Sequence, residues 1–391
     1  MESAYNIIEE YHRRFRASDQ DRTVFERVAK SASTDRDRIV EDIVTLRKRV
    51  GLGYALIALY KQQVNSGFVL ADPLGMKDEY EKRFFDPETG VTFRVQWNPD
   101  RELRRDHALL MERGVIAEDA DTSRLVNRDG DGKPCYLCKS NIDAQNPGEI
   151  LLEVDLAGEA FYVGANFASI TYNHFTVMNA EHHPQDYRRE ILSFMNDFVE
   201  KTDGCFRAVF NGLAGASIKK HEHLQTSTEP FPIEEIRIGE EDAVRNFESV
   251  RVSCPRYILP VWIVEGRNKE SVERAADAIL SSWHSLDASE HTENIISVLS
   301  GNTHRTFIIL RERTKLVGPG KMGVMASFET GGLIVLSTEA KGSTDEVDER
   351  ETFRTANLKI VRSMLKGVSP DAGKCARLLE EISVLDFGIQ S

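Results

Sequence analysis

The chain has 391 residues and a formal net charge of −13 at pH 7, from 50 Lys and Arg against 63 Asp and Glu. Such an acidic chain is unlike proteins that coat nucleic acid or bind membrane surfaces, which carry clustered Lys and Arg, and no apolar run approaches the ~20 residues of a membrane span. The five cysteines do not suit a disulfide framework, and the charged sequence MESAYNIIEEYHRRFR is unlike a secretory signal. We therefore expect a cytoplasmic protein with no nucleic-acid or membrane partner.

The first part of the chain predicts helices. Ile39, Ile43 and Leu46 recur at helical spacing, and Gly51 separates them from a second apolar run. We expect a helical N-terminal extension over residues 1–90, which either covers a site or forms a homodimer interface.

The rest of the chain predicts two similar series of strands and helices. The first begins at Val91, Phe93 and Val95 and continues with strands at AFYVGANFA and HFTVMNAEH, a helix near Gln185 to Thr202, and strands at FRAVFNG and HEHLQTST. The second has a strand at YILPVWIVEG, a helix at NKESVERAADAILSSWHSL, strands at THRTFIILRER and GGLIVLSTE, and C-terminal helices. Such units with adjacent strands paired predict an α+β fold, an antiparallel sheet covered by helices.

The likeness of the two series predicts an internal duplication. The sequence TSTE at 226–229 is echoed by LSTE at 336–339, where Gly331 and Leu333 stand in the places of His221 and His223. We expect halves at residues 91–250 and 251–391, of which only the first carries chemistry.

The stretch SIKKHEHLQTSTEP places His221, His223 and Gln225 at every second position. On a strand such positions share one face, whereas on a helix they diverge. The pattern therefore predicts a strand that presents two imidazoles and an amide together. The alternative is a solvated edge strand whose histidines have no chemical role.

Two further motifs precede this strand. The sequence CYLCKSN contains Cys135 and Cys138 at a spacing that can hold zinc, with His221 and either His182 or His183 as further ligands. The alternative is two reduced cysteines packed as small hydrophobes. The sequence FNGLAGASIKK contains small residues through Ser217, whose backbone N–H groups could approach a phosphate.

In their order along the chain, these motifs resemble galactose-1-phosphate uridylyltransferase. The matching positions are Cys135 to Asn141, Asn166 to Ala168, Glu181-His182, Asn211 with the turn that holds Ser217, and His221, His223 and Gln225. That family belongs to the histidine-triad superfamily, whose nucleotidyltransferase branch also contains nucleotide-sugar and dinucleoside polyphosphate phosphorylases. The resemblance covers roughly residues 90 to 340 and implies a duplicated histidine-triad-like antiparallel sheet with flanking helices.

The resemblance also implies a mechanism. His223 would attack the α-phosphorus of a nucleoside diphosphate sugar or other nucleotide pyrophosphate, and nucleotidyl-His223 would wait for a phosphate-bearing acceptor, which is ping-pong chemistry. Hydrolytic relatives carry a third histidine where this chain has Gln225, and an amide cannot protonate a leaving group, so the site suits exchange between phosphate compounds. His221 would join Cys135, Cys138 and His182 around a structural zinc ion.

Substrate phosphates need cations and neutral donors. The candidate cations are Arg101, Arg104 and Arg105 in NPDRELRR and Lys321 in GPGKMGVM, and the alternative for each is a solvated surface residue. In the resemblance, Asn166 and Asn211 are the neutral donors to nucleotide or phosphate.

The sequence leaves three functions open. The first is a nucleotidyltransferase of the hexose-1-phosphate uridylyltransferase type. The second is a phosphorylase that takes inorganic phosphate as the acceptor, which the pair Lys219-Lys220 near the nucleophile favours. The third is a non-catalytic nucleotide-binding scaffold.

Overall fold

A ten-stranded antiparallel sheet forms the centre of the molecule, and a three-stranded sheet packs against part of one face. The computed structural model describes residues 2–32, 35–70, 80–105, 111, 125–127, 132, 134–146, 148–246, 249–338, 347–385 and 387. The helices are α1 (Glu2–Arg14), α2 (Asp19–Lys30), α3 (Arg36–Arg49), α4 (Leu52–Asn65), α5 (Lys139–Gln145), α6 (Glu190–Lys201), α7 (Lys269–Leu286), α8 (Ser327–Thr330), α9 (Glu349–Thr355), α10 (Leu358–Gly367) and α11 (Ala372–Val384). The strands are β1 (Glu81–Asp86), β2 (Val91–Trp97), β3 (Leu152–Leu156), β4 (Glu159–Ala165), β5 (Phe175–Asn179), β6 (Arg207–Asn211), β7 (His223–Ser227), β8 (Ala243–Asn246), β9 (Val250–Ser253), β10 (Val261–Gly266), β11 (His291–Ser300), β12 (Thr303–Glu312) and β13 (Leu333–Leu336).

The order of strands in the large sheet is symmetric about its middle. It runs β3-β4-β5-β7-β6 and then β11-β12-β10-β9-β8, with every neighbouring pair antiparallel. Each set of five has one helix between its third and fourth strands, α6 in the first set and α7 in the second. The predicted α+β class with antiparallel sheet is confirmed, and the repeated order is what an internal duplication would give. The boundaries at 250 and 251 stay a prediction.

The predicted echo between the two halves is wrong in one respect. Strand β13, which contains Leu333, lies in the small sheet and pairs parallel to β2, so it does not occupy the place of β7. The strand at that place in the second set is β12, where Phe307 and Ile309 are buried. The two four-residue sequences share three residues, whereas strand order is set by long-range pairing that a short motif does not encode. Glu339 lies outside the described residues.

Two apolar layers cover the large sheet. On one face, α4, α6 and α7 pack against alternate strand residues such as Phe175 and Leu224. On the other face, the small sheet covers the second set of strands and the adjoining strand β6, where Ile296, Phe307 and Val209 are buried. Because the small sheet lies over the second set, the same face of the first set borders a cavity.

The N-terminal helices belong to the first layer. Ile39, Ile43 and Leu46 of α3 are buried as predicted, and α4 packs against α2, α3 and β4. They therefore lie behind the sheet and do not cover the face that carries His223. Within the stretch predicted as helical, the last described helix ends at Asn65. The same stretch contains the strand β1, because its residues pair with β2 in an antiparallel hairpin.

Within the described part of the chain, no helix is both long enough and apolar enough to cross a membrane.

Candidate active site and metal cluster

The strand that carries the histidine motif is an inner strand of the large sheet. Strand β7 pairs with β5 on one side and β6 on the other, so that His223 lies opposite Met178 and Gln225 lies between Thr176 and Val209. Leu224 points into the helix-covered core, while His223 and Gln225 line the cavity on the other face. The alternative of a solvated edge strand is therefore wrong, since the His223 side of β7 is enclosed and the residue is only 6% exposed.

The imidazole of His223 has one nitrogen engaged with the backbone. Its Nδ1 lies 2.8 Å from the carbonyl oxygen of His221, which can only accept, so Nδ1 carries the proton. The lone pair is then on Nε2. Burial lowers the pKa of His223, which keeps the ring neutral and Nε2 nucleophilic near neutral pH.

Gln185 fixes the backbone on which His223 stands, and sequence reasoning missed it. Its Nε2 donates to the carbonyl oxygens of Asn211 and His223 at 2.9 and 3.0 Å, and its Oε1 accepts from the His223 N–H at 2.7 Å. The side chain is fully buried. It ties β6 to β7 just where both strands enter the cavity. Its position in the loop sequence HHPQD follows no periodic pattern that could have indicated this role.

Two cysteines and two histidines from three distant segments meet beside β7. Their ligand atoms, contributed by Cys135, Cys138, His182 and His221, all lie within 4.8 Å of one another. Nδ1 of His221 is 3.3 Å from Sγ of Cys135 and 3.3 Å from Nδ1 of His182, which in turn lies 3.3 Å from Sγ of Cys138. Tetrahedral zinc with bonds of about 2.3 Å to sulfur and 2.0 Å to nitrogen separates its ligand atoms by roughly 3.3 to 3.8 Å. The four residues therefore fit such an ion, and His183 is not among them.

The hydrogen bonds around His221 orient it as a ligand. Its Nε2 lies 2.7 Å from the carbonyl oxygen of Asn179, so Nε2 carries the proton and Nδ1 faces the cluster. Burial lowers the pKa of His221 to about 4, so the ring is neutral, as a ligand must be. Asn179 is held by the buried Glu222 at 2.8 Å, and Arg188 pairs with both Glu222 and Glu159 at 2.7 Å. This network of charges fixes the strand end that presents the cluster.

The turn after β6 brings backbone and amide groups to the cavity. The N–H groups of Gly215 and Ala216 both donate to the carbonyl of Gly212, which closes the turn. A Cβ on Gly215 would lie 2.5 Å from Nδ2 of Asn294, so only glycine fits this close approach. Ser217 follows the turn, is exposed, and lines the cavity.

Asn211 is held at the start of this turn. Its Oδ1 accepts from the N–H and the hydroxyl of Ser327 at 2.8 and 2.6 Å and from Nδ2 of Asn294 at 3.1 Å. Because Oδ1 is saturated by protein donors, Nδ2 is the atom that can donate to a ligand in the cavity.

The cavity has a volume of about 900 Å³ and brings most of the predicted site residues together. Its lining includes the predicted residues His223, Gln225, Ser217, Asn166, Asn211, Arg101 and Lys321. The side chain of Arg105 lies outside the described part of the structure, as does that of Arg104.

The two described cations differ in their surroundings. Arg101 donates from Nη1 to the carbonyl of Ala168 at 2.9 Å and lines the cavity. Lys321 is buried, donates to the carbonyl of Val335, and has Glu329 and Glu349 at 3.6 and 3.9 Å. Two carboxylates beside one ammonium offset its charge, which favours a structural role for Lys321 over phosphate binding.

His174 is a second residue that sequence reasoning missed. It stands next to β5, its Nδ1 accepts from the N–H of Ile170 at 3.1 Å, and its ring packs 5.1 Å from that of Phe328. Burial and the nearby Arg101 lower the pKa of His174 to about 3, so the ring is neutral. A lone histidine before an apolar strand forms no motif, so the sequence did not indicate His174.

Comparison with curated proteins confirms the resemblance inferred from the motifs. The chain is 24% identical over 193 residues to galactose-1-phosphate uridylyltransferase of Clostridium acetobutylicum, a match that spans 46% of this chain and 38% of that protein. It is also 24% identical over 198 residues to the enzyme of the same name from Halalkalibacterium halodurans, spanning 46% of this chain and 37% of the relative. The chain thus spans less than two fifths of the length of these curated relatives.

Two other comparisons give a family model and a solved structure. Residues 75–228 match the family model described as "Domain of unknown function (DUF4922)", a segment that holds the cysteine pair and the histidine strand. Yeast Ap4A phosphorylase Apa2 aligns with 80% of this chain and 96% of its own, with a TM-score of 0.48 and 14% sequence identity.

Proposed function

We propose that the chain is a nucleotidyltransferase that acts on nucleoside diphosphate sugars through a covalent nucleotidyl-His223 intermediate. The observation that carries this proposal is the fixed tautomer of His223, which leaves Nε2 with a lone pair toward a cavity that Gln225 and the turn to Ser217 also line. The similarity to two galactose-1-phosphate uridylyltransferases supports the same class of reaction.

The first step forms a phosphorus–nitrogen bond. Nε2 of His223 attacks the α-phosphorus, the bond to the bridging oxygen breaks, and the sugar 1-phosphate leaves with the electron pair. The ring becomes cationic, and the Nδ1–H bond to the carbonyl of His221 stabilises that charge. Gln225, Nδ2 of Asn211 and the backbone N–H of Ser217 would donate to the non-bridging oxygens, since the N–H groups of Gly215 and Ala216 already donate to Gly212.

The second step reverses the first with a new acceptor. A phosphate oxygen of the acceptor attacks the nucleotidyl group, the phosphorus–nitrogen bond breaks, and His223 returns to its neutral form. The leaving phosphate of the first step needs no proton at neutral pH, which suits an amide at position 225.

A zinc ion held by Cys135, Cys138, His182 and His221 would have a structural role. When bound, it would tie the segment that begins at Cys135 to the end of β7, two residues from the nucleophile. His223 itself is not one of the four ligands, so the ion and the nucleophile have separate tasks.

A phosphorylase is the second candidate. Lys219 is exposed and lines the cavity next to Ser217. A cation at this edge favours a small, highly charged acceptor such as inorganic phosphate.

An exchange assay tests the proposal and separates the two candidates. Each nucleoside diphosphate hexose is mixed with a hexose 1-phosphate or with inorganic phosphate, and initial rates are measured over both substrate concentrations. We expect parallel lines in double-reciprocal plots, faster turnover with the hexose 1-phosphate, and no turnover in His223→Ala. Faster turnover with inorganic phosphate would select the phosphorylase, and intersecting lines or an active His223→Ala variant would overturn the covalent route.

A further inference from the structure

Glu149 is a buried carboxyl group in the cavity wall that the proposed chemistry does not use. The residue is 8% exposed and lines the same cavity as His223. Its Oε2 accepts from Nδ2 of Asn146 at 3.0 Å, and no salt bridge joins it to a cation among the residues that the structure describes. Burial raises the pKa of Glu149 to about 7. A carboxylate in this setting is stabilised by whatever N–H donors a ligand brings.

The position of Glu149 relative to the nucleophile follows from the strand register. Its Oε1 lies directly over Gly164, since a Cβ on that glycine would be 2.3 Å away. Gly164 pairs with Thr176, and Thr176 pairs with Gln225, so the carboxyl lies two strands from Gln225. At about 4.8 Å per strand this is roughly 10 Å across the sheet. That span is comparable to the reach from the α-phosphate of a nucleotide to the far edge of its base.

Apolar side chains line the same cavity as this carboxyl. They are Leu137 and Ile142 from the segment after Cys135, Met178 from β5 and Phe167 from the loop after β4. Flat apolar walls of this kind suit an aromatic base. Gly164 has no side chain, and a Cβ there would collide with Oε1 of Glu149 and with Leu151, so the carboxyl can lie against β4 only because this residue is glycine.

We propose that Glu149 recognises the edge of the nucleotide base and selects guanine. The inference rests on the proposed function, because it takes the α-phosphate to lie at His223 and Gln225. From there the base reaches the apolar walls, and its edge meets Oε1 of Glu149.

The chemistry of the base edges favours guanine over the alternatives. A carboxylate has only acceptor atoms, and each oxygen has two lone pairs, so Asn146 does not saturate Oε2. Guanine presents two adjacent donors, N1–H and the N2 amino group. Adenine presents its N6 amino group beside the acceptor N1, and uracil presents one N–H between two carbonyl groups. Against a carboxylate, only guanine avoids an acceptor facing an acceptor.

Equilibrium binding of nucleoside monophosphates tests the selection without the covalent step. Dissociation constants for GMP, IMP, AMP and UMP are measured by calorimetry at pH 8, where the carboxyl is mostly ionised. IMP lacks the N2 amino group but keeps N1–H. We expect GMP to bind about tenfold more tightly than IMP, and more tightly still than AMP and UMP. Equal affinity for the four, or a preference for AMP or UMP, would overturn the proposal.

A matched pair of variants assigns the selection to this residue. Glu149→Gln keeps the shape but replaces one acceptor by a donor, so the ratio of the AMP to the GMP dissociation constant should fall by about tenfold or more. Glu153→Gln changes the charge of a nearby exposed residue and should leave the ratio unchanged. The melting temperatures of both variants show whether they are folded. An unchanged ratio in a folded Glu149→Gln variant contradicts the role of Glu149.

Failure of guanine selection by Glu149 can be distinguished from failure of the proposed function. Guanine selectivity with no nucleotide transfer from any donor would overturn the covalent mechanism and keep Glu149 as the base contact. Transfer from a uridine or adenine donor in preference to a guanine donor would keep the mechanism and overturn the selection. Failure of all four monophosphates to bind would overturn both.

Discussion

The reactive nitrogen of His223 is set by a single backbone hydrogen bond. With Nδ1 donating to the carbonyl of His221, the tautomer is fixed before any substrate arrives. Gln185 then fixes the peptide groups on both sides of the histidine with two hydrogen bonds, and a third joins it to the carbonyl of Asn211. The proposed catalytic geometry thus depends on His223, which would touch the substrate, and on Gln185, which would not.

Loss of the nucleophile should abolish turnover and spare binding. We expect His223→Ala to lower the rate of nucleotide transfer by about 10³-fold or more, since removing a nucleophile removes the whole covalent route. Nucleotide affinity should change by only a few fold, because the cavity wall is otherwise intact. Exchange kinetics and calorimetry measure the two effects. His183→Ala, a change at an exposed histidine outside the cluster, is the control and should remain active.

Loss of Gln185 should affect both stability and rate. Gln185→Ala leaves a buried N–H and two buried carbonyls without their partner, so we expect the free energy of unfolding to fall by about 2 to 4 kcal/mol. The rate constant for transfer should fall more than nucleotide affinity, since the misplaced group is the nucleophile. Urea unfolding and steady-state kinetics provide the test. Asp186→Ala, at the exposed neighbouring position, should change neither the free energy of unfolding nor the rate constant. A Gln185→Ala variant that also leaves both unchanged would contradict the positioning role.

The sequence predicted those site residues that follow a pattern. The alternation of His221, His223 and Gln225 indicated a strand face, and the cysteine spacing indicated ligands, because periodicity and short spacing are local properties. Gln185 and His174 were missed because their roles arise from contacts between segments far apart in sequence. The expected phosphate-binding cation Lys321 lies between two carboxylates, a pairing that its local sequence does not show.

The segment from Cys135 through α5 depends on the cluster for its position. Two of the four ligands come from this segment and two from the ends of β5 and β7. A bound ion would join these elements, and the same segment supplies Leu137 and Ile142 to the cavity wall. Metal binding would therefore be coupled to the shape of the part of the cavity that we propose binds the base.

Metal removal should loosen this segment. We expect one zinc ion per chain by elemental analysis, and a fall in melting temperature of about 5 °C or more on treatment with a chelator, since an ion that binds only the folded state stabilises it. Cys135→Ser should show the same fall without chelator. Cys254→Ser, at a cysteine outside the cluster, provides the comparison. A metal-free protein whose melting temperature does not change when zinc is added would contradict the assignment of these four residues as a zinc site.

Several strands were not predicted, and their burial explains why. Strand β11 lies in the middle of the large sheet and is buried on both faces over most of its length, so it lacks the alternation that marks a strand with one exposed face. Strands β8 and β9 are short and stand at the end of the sheet. Strand β13 was predicted as a strand but placed in the wrong sheet, because its parallel pairing with β2 joins segments more than 200 residues apart in sequence.

The molecule as a whole is a symmetric sheet with the proposed active site on one half. In the first set of strands, β7 presents His223 and Gln225 to the cavity, whereas β12 at the corresponding place presents Phe307 and Ile309 to the small sheet. The predicted α+β class follows from the order of elements along the chain, and the predicted restriction of chemistry to the first half agrees with the apolar filling of the second. The small sheet itself was not expected, since its three strands come from both ends of the chain.

This asymmetry predicts one nucleotidyl group per chain. At the place of His223 and Gln225, β12 presents the buried apolar side chains Phe307 and Ile309, so saturation with donor should stop at a single adduct. Titration of the adduct against protein concentration measures the stoichiometry. Two adducts per chain would contradict the assignment of the chemistry to β7.

The mass of the intact protein after brief mixing with nucleotide donors shows whether a nucleotidyl-His223 intermediate forms. The protein is mixed at mildly alkaline pH with UDP-, GDP- and ADP-hexoses, because phosphoramidates are labile to acid, and His223→Ala and His183→Ala are treated in parallel. We expect a gain of one nucleoside monophosphate in the wild type and in His183→Ala, lost on brief acid treatment, and no gain in His223→Ala. A folded wild-type protein that binds these donors and gains no mass, or an adduct that persists in His223→Ala, would contradict the nucleotidyl-His223 intermediate.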